Sequence, residues 1–326
     1  MTIRPINIPA DIPSITKIWQ SCFTDDLRYI ESFISHCLPY TKSWVLLRNE
    51  EPVAILSLVP SYIPLPDNYS LLDNKHNSMP SNSSIVYSSD RLNTKQADNG
   101  PTNLYGAYIY GVATLPEYRG NSYSSLLVER AIEDSIANNL DYIIVKPAEE
   151  PLFRLYRKMG IETTLYSHKI TIPLSSDSIT NDKHNLAKDN IVADSVFNPL
   201  SWEDLYVLRE RIGSFLWPKE ILEYALHEAL SRPEAIAASD GELYFIAALS
   251  YSTPDSVDIL ETNANSSIQV DKILSYLHNR IPHAQTASIT HSGNSEKHNS
   301  ALLKILNPEK SIEKYLSEQY LSLPME

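Results

Sequence analysis

Glycine is what this chain of 326 residues has least of: eight in all, about a third of the usual share of about 7%. Gly106, Gly111, Gly120 and Gly160 fall close together, whereas the second half holds only Gly213, Gly241 and Gly293. Left-handed backbone and close chain approach depend on glycine, so the unusual geometry is expected between residues 106 and 160. The rest must be built from ordinary helices and strands. With 43% hydrophobic and 21% charged residues there is ample material for cores, and the length favours two domains.

Periodicity supplies the order of elements. IRPIN reads as a strand, Asp11 as the cap of a helix over 11–22, and Asp25 or Asp26 as the cap of a second helix whose Tyr29, Ile30, Phe33, Ile34 and Cys37 share a face. SWVLLRN and EPVAILSLV form a strand pair about an Asn-Glu-Glu turn. Residues 66–104 hold seven Asn and seven Ser and read as an insertion. Then come the strand LYGAYIYGVATL, a helix over 122–138, the strand LDYIIVKP, the helix PLFRLYRKMG ending at Gly160, and the strand ETTLYSHKITIP. After a polar linker at 175–190 a similar order recurs: a strand at NIVADSVF, two helices, three strands, a helix, a strand and a last helix at SALLKIL. The expectation is a mixed α/β (α+β) fold with a central sheet flanked by helices. It comprises a domain over 1–174 with the 66–104 insertion and a second copy of the plan over 191–326.

Lys plus Arg number 27 against 40 Asp plus Glu, a net charge of −13, which repels polyphosphate backbones and argues against nucleic acid as partner. No segment is long and apolar enough for a membrane span, and Cys22 and Cys37 suit a reducing cytoplasm as buried structural thiols. The nine histidines form no metal pattern, so no metal is expected.

The chemistry is expected at VATLPEYRGNSYSSLLVERA, where a strand enters a small polar turn that feeds a helix N-terminus. Unpaired N–H groups and the helix dipole make such a junction an anion site, and Arg119 adds a fixed charge. It is neither a P-loop nor a dinucleotide fingerprint. The run Val112-Ala113-Thr114, then Arg119-Gly120-Asn121-Ser122-Tyr123-Ser124, resembles motif A of the GNAT superfamily of acyl-CoA-dependent N-acyltransferases. Ser122 and Ser124 stand where the family pattern has Gly and Gly or Ala. The helix PLFRLYRKMG, with Tyr156 four residues before Gly160, resembles motif B.

The resemblance implies a GNAT-like fold and acetyl-CoA as co-substrate. It implies pyrophosphate binding by the backbone of Arg119, Gly120, Asn121, Ser122, Tyr123 and Ser124, and a pantetheine arm alongside Val112 and Thr114. It also implies Tyr156 as general acid for the departing thiolate, and a small-molecule or peptide amine as acceptor, attacking directly. A homo-oligomer is compatible with it. Some relatives place a glutamate early on the fourth strand. Tyr105 to Tyr110 contain no carboxylate, which leaves a water chain, the insertion, the second domain or the chain terminus as base. Tyr108 and Tyr110 share a strand face and either shape an acceptor pocket or pack. The second half lacks the Arg-x-x-Gly turn at ILETNANSSIQVDKI, and its last helix puts Leu303 where Tyr156 stands, as in a tandem-GNAT protein whose second domain has lost catalysis. A catalytically silent CoA-binding or partner-interaction protein is the alternative.

Overall fold

The computed structural model describes residues 1–64, 103–174, 197–212, 215–292 and 298–306. The 66–104 insertion, apart from its last two residues, the 175–190 linker and most of the strand expected at NIVADSVF lie outside them. In chain order the elements are β1 (Thr2–Pro5), α1 (Ile12–Cys22), α2 (Leu27–Ser32), β2 (Lys42–Arg48), β3 (Glu51–Pro64), β4 (Asn103–Thr114), α3 (Tyr123–Ala137), β5 (Tyr142–Val145), α4 (Glu150–Lys158) and β6 (Thr163–Pro173). There follow β7 (Asn198–Pro199), α5 (Trp202–Arg211), α6 (Lys219–Leu230), β8 (Ile236–Ser239), β9 (Tyr244–Leu249), β10 (Ser256–Thr262), α7 (Ser267–Arg280), β11 (Thr286–Ser292) and β12 (His298–Ile305).

The chain forms two compact units. Among the described residues the first holds 1–64, 103–166, 215–224 and 299–306, and the second holds 167–174, 197–212, 225–292 and 298. Two stretches from beyond the linker therefore return to the first unit. The segment before α6 pairs Leu216 with Tyr62 of β3 through two backbone bonds of 3.0 and 2.8 Å, and sets Phe215 edge-on to Tyr142 and Trp217 edge-on to Tyr108. β12 pairs antiparallel with β5, Leu302 opposite Val145 and Leu303 opposite Ile144.

That strand corrects the expected last helix. Ala301, Leu302 and Leu303 are all fully buried, and a short apolar run is periodically ambiguous until pairing decides it. Leu303 is accordingly no counterpart of Tyr156. Asp11 is a second correction. It precedes α1 but gives the helix no side-chain cap; its carboxylate instead takes both guanidinium arms of Arg4 at 2.6 and 2.8 Å and the N–H of Asn7 at 2.7 Å. Arg4 holds its pKa below the ordinary value. Asp26 does cap α2, accepting from Tyr29 N–H, while Asp25 accepts from Trp19 Nε1 at 2.7 Å. The helix expected beyond α2 widens into a π-helical turn, Phe33–Cys37.

The sheet of the first unit runs β1-β2-β3-β4-β5-β12, and only the β4–β5 neighbours are parallel. The turn between β2 and β3 places Asn49 and Glu50 at positive φ, as a two-residue hairpin with right-handed strand twist requires. Gly106 is fixed by close approach, since a Cβ there would collide with the Tyr142 ring.

The second unit repeats the plan in its sheet β6-β11-β10-β9-β8-β7. β10 pairs parallel with β11 over Ser256 to Ile259, as β4 pairs with β5 over Gly106 to Ile109. A bulge follows in β10 between Ile259 and Glu261. Arg209 is the eighth residue of α5 as Trp19 is of α1. It is fully buried against Glu261, its Nε donating at 2.6 Å and its second arm completing the ion pair, while the Tyr244 hydroxyl donates to Glu261 at 2.8 Å. The fold is thus mixed α/β, with sheets flanked by helices, as expected.

Candidate active site

The geometry starts from the bulge in β4. Ala54 pairs with Thr114 and Ile55 with Ala113, but Ser57 pairs with Tyr110, so Gly111 and Val112 together oppose Leu56. Gly111 carries the bulge at φ 59°, and a Cβ on it would come within 3.2 Å of the Trp19 ring. Pairing of β4 with β5 ends at Ile109–Val145, so β4 from Tyr110 to Thr114 runs on without that neighbour. Leu115 N–H donates to Val53 O of the β3 edge. By strand alternation Val112 and Thr114 therefore turn their N–H groups to the opposite edge, where β5 has departed. Thr114 Oγ1 is buried there without a hydrogen-bond partner among the described residues.

The loop that follows carries two left-handed residues. Gly120 has φ 80° and Ser122 φ 60°, and a Cβ at Gly120 would meet nothing within 4 Å. A left-handed residue in a turn can aim neighbouring N–H groups to one side, as anion-binding nests do. Ser122 precedes α3 yet provides no side-chain cap, so the first N–H groups of this 15-residue helix, including those of Tyr123 and Ser124, have no intrahelical acceptor. Arg119 is exposed, and its Nε donates to Thr114 O at 3.2 Å, tying the loop to the strand end. Asn121 spends its amide on Tyr118 O and Arg119 O at 3.0 and 3.3 Å, so its side chain shapes the turn. Tyr123 is 8% exposed and offers the site only its backbone.

In the second unit the corresponding terminus, that of α7, carries a side-chain cap. Ser266 Oγ accepts from Gln269 N–H, and Gln269 Oε1 accepts from Asn265 N–H at 2.9 Å. Ser266 thus supplies the side-chain cap that Ser122 does not give α3.

Ser122 departs from glycine at a left-handed position, which costs an L-residue about 1 kcal/mol. Ser122→Gly should raise stability by roughly 0.5 kcal/mol once glycine's greater unfolded entropy is subtracted. Urea unfolding at unchanged m-value measures it.

Tyr156 lies on α4, 6% exposed. Burial alone pushes its phenol up to about 12, so it stays protonated throughout the neutral range. Among the described residues no hydrogen bond engages its hydroxyl, and none links it to the Arg119 loop. Its carbonyl accepts from Met159 N–H and Ile161 N–H at 3.0 and 3.2 Å, and Gly160 N–H donates to Arg157 O at 2.9 Å. With Gly160 at φ 76° this is a Schellman terminus, which gives the Tyr-x-x-x-Gly spacing a physical basis.

On the other stretch of β4, Tyr108 and Tyr110 do share a face, their rings 5.8 Å apart. Tyr110 also packs against Trp19 and Phe33, and its hydroxyl meets that of Tyr29 at 2.5 Å. Burial pushes the Tyr110 phenol well above its ordinary value and that of Tyr29 up to about 12. Cys22 and Cys37 are both free. Cys22 donates to Thr114 O at 3.2 Å, and burial raises the Cys37 thiol. No group of three or more metal-ligating side chains occurs among the described residues, and no helix among them is long and apolar enough to cross a membrane. The sequence alone did not signal Trp217 and its neighbours, or Lys304 of β12, as parts of this unit, because both lie far along the chain.

Residues 84–161 match the model of the acetyltransferase (GNAT) family. A probable N-acyltransferase from Enterococcus faecalis superposes with a TM-score of 0.62 at 16% identity, covering 94% of this chain and 72% of that one. A GCN5-related N-acetyltransferase from Anabaena variabilis gives 0.61 at 15%, covering 94% and 73%, and one from Kribbella flavida 0.58 at 14%, covering 93% and 71%. No curated protein sequence matches the chain significantly. The bulged β4 and the turn that leads into α3 therefore lie in the segment, residues 84–161, that matches the acetyltransferase (GNAT) family model.

Proposed function

We propose that the protein transfers an acetyl group from acetyl-CoA to a primary amine by direct attack. The observation that carries this reading is the uncapped N-terminus of α3 beside a strand whose N–H groups at Val112 and Thr114 lack a strand neighbour. A pyrophosphate fits the nest formed by Arg119 to Ser124, since Gly120 faces open space and the helix donors lack acceptors. A chain of amides fits the exposed edge of β4, and the unpartnered Thr114 Oγ1 offers it a further polar contact. When bound, acetyl-CoA supplies an activated thioester carbonyl.

This chain's residues do the rest. Val112 N–H is the donor on which charge developing at the carbonyl oxygen would be stabilised, as in an oxyanion hole. Tyr156 holds a proton at its phenol for the leaving sulfur. An ordinary thiol titrates at about 8.5, below this phenol, but a thiolate released into the same desolvated surroundings is raised by the same effect. β4 carries no carboxylate to take the amine proton, and Asp25 is committed to Trp19, so a water chain, the insertion, the second domain or the chain terminus supplies the base. The acidic chain suits a cationic acceptor, and we assign the protein to the cytoplasm on its free thiols. The α7 terminus of the second unit is capped by Ser266 and is not a second cofactor site.

Isothermal titration of CoA and acetyl-CoA into the wild type and an Arg119→Ala, Ser122→Asp double variant tests the reading. Micromolar binding to the wild type that the variant loses supports it, because an added carboxylate in the nest repels the diphosphate. Equal binding to both would remove the loop from the site. Absence of binding to either would favour a partner-interaction protein.

A further inference from the structure

α4 is fastened at both ends by a strand that arrives from the far end of the chain. At its first turn Asn299 Nδ2 of β12 reaches Glu150 Oε2 at 3.5 Å. At its last, Lys304 Nζ donates to Gly160 O at 3.1 Å. Gly160 is the left-handed residue that closes the Schellman terminus, and a Cβ on it would stand 2.8 Å from Lys304 Nζ. The missing side chain therefore makes room for the ammonium as well as permitting the turn. A cation at a helix C-terminus is favoured by the dipole and by the carbonyls left without donors.

Tyr156 sits three residues before the cap of this helix, and its carbonyl is the acceptor of the terminal Ile161 bond. No hydrogen bond holds its phenol among the described residues, so packing and the anchoring of this backbone turn set where the hydroxyl stands. We propose that Lys304 is a positioning residue: by holding Gly160 O it fixes the last turn of α4 and with it the Tyr156 hydroxyl. β12 thereby connects the C-terminal region to the proton donor. The inference rests on the reading of Tyr156 as general acid, and its test separates the two.

A displacement of about 1 Å in a reacting group costs up to about 10²-fold in rate. Lys304→Met keeps the apolar stem and should lower kcat about tenfold with KM for acetyl-CoA unchanged. Lys304→Arg, which restores a cationic donor, should recover most of the loss, and Lys304→Gln serves if the methionine variant does not fold. In a Tyr156→Phe background Lys304→Met should change kcat by less than about twofold, since residues acting through one another are not additive. Full multiplication of the two losses would mean general damage and would overturn the inference. So would an unchanged kcat in Lys304→Met beside an impaired Tyr156→Phe, which would leave the acid in place. A kinetically silent Tyr156→Phe would overturn the acid and Lys304's role together.

Discussion

Tyr156→Phe is expected to lower kcat by roughly 10²- to 10⁴-fold, the usual worth of a positioned general acid, while the dissociation constant for acetyl-CoA stays unchanged. The split follows from location: the phenol stands on α4, whereas the proposed cofactor contacts lie on the turn before α3 and on β4. Loss confined to kcat identifies an interaction made in the transition state. The pH profile adds a signed expectation. A phenol at its ordinary value of about 10 would lose its proton, and the enzyme its activity, as pH rises through 10. Burial pushes Tyr156 up to about 12, so kcat should rise with amine deprotonation and hold level at pH 10. A wild-type kcat that declines between pH 8 and pH 10 (about the ordinary range for a thiol or phenol) would assign the donor to another group. Stopped-flow or thiol-release assays on wild type and variant decide it.

A chain ending at residue 174 is expected not to fold, although it contains the whole segment that resembles the family. It would lack Leu216 and Trp217, both fully buried, and would leave the β5 edge open where Ala301, Leu302 and Leu303 are buried in the full protein. Burying each large apolar side chain is worth about 1.5–3 kcal/mol, so the missing residues together approach the whole stability of an ordinary domain of about 5–15 kcal/mol. An exposed apolar strand edge also invites aggregation. Far-ultraviolet circular dichroism and size-exclusion chromatography of the fragment, alone and co-expressed with residues 175–326, measure this. A soluble, cooperatively melting fragment would show that the returning segments are dispensable.

Much of the site is legible in the residues because its determinants are local. A bulge and a left-handed turn need glycine or its tolerated substitutes within a few positions, and Gly111, Gly120 and Gly160 stand at φ 59°, 80° and 76°. Helix caps are local too, and Asp26 and Ser201 cap α2 and α5 through their side chains. Asp11 misled because a cap-forming carboxylate is a better partner for a guanidinium when one is near, and Arg4 comes near only once β1 has paired. β12 misled because three consecutive apolar residues suit a helix or a doubly buried strand equally. Ser122 shows that the left-handed turn survives without glycine, at a cost the flanking helix and strand can bear.

Sequence by itself determined the element order from β1 to β6, read from periodicity, together with the left-handed turn before α3 and the Tyr156–Gly160 helix end, the last two because they depend on hydrogen bonds spanning no more than five residues. Only tertiary structure decided that residues 215–224 and β12 complete the first unit, that Trp19 closes on Gly111, that Arg209 and Glu261 neutralise one another, and that Lys304 reaches Gly160 O. Those pairings join residues at least 52 positions apart, and no local preference records them. They form because a strand edge, a buried charge or a helix terminus must find its complement once the chain is compact.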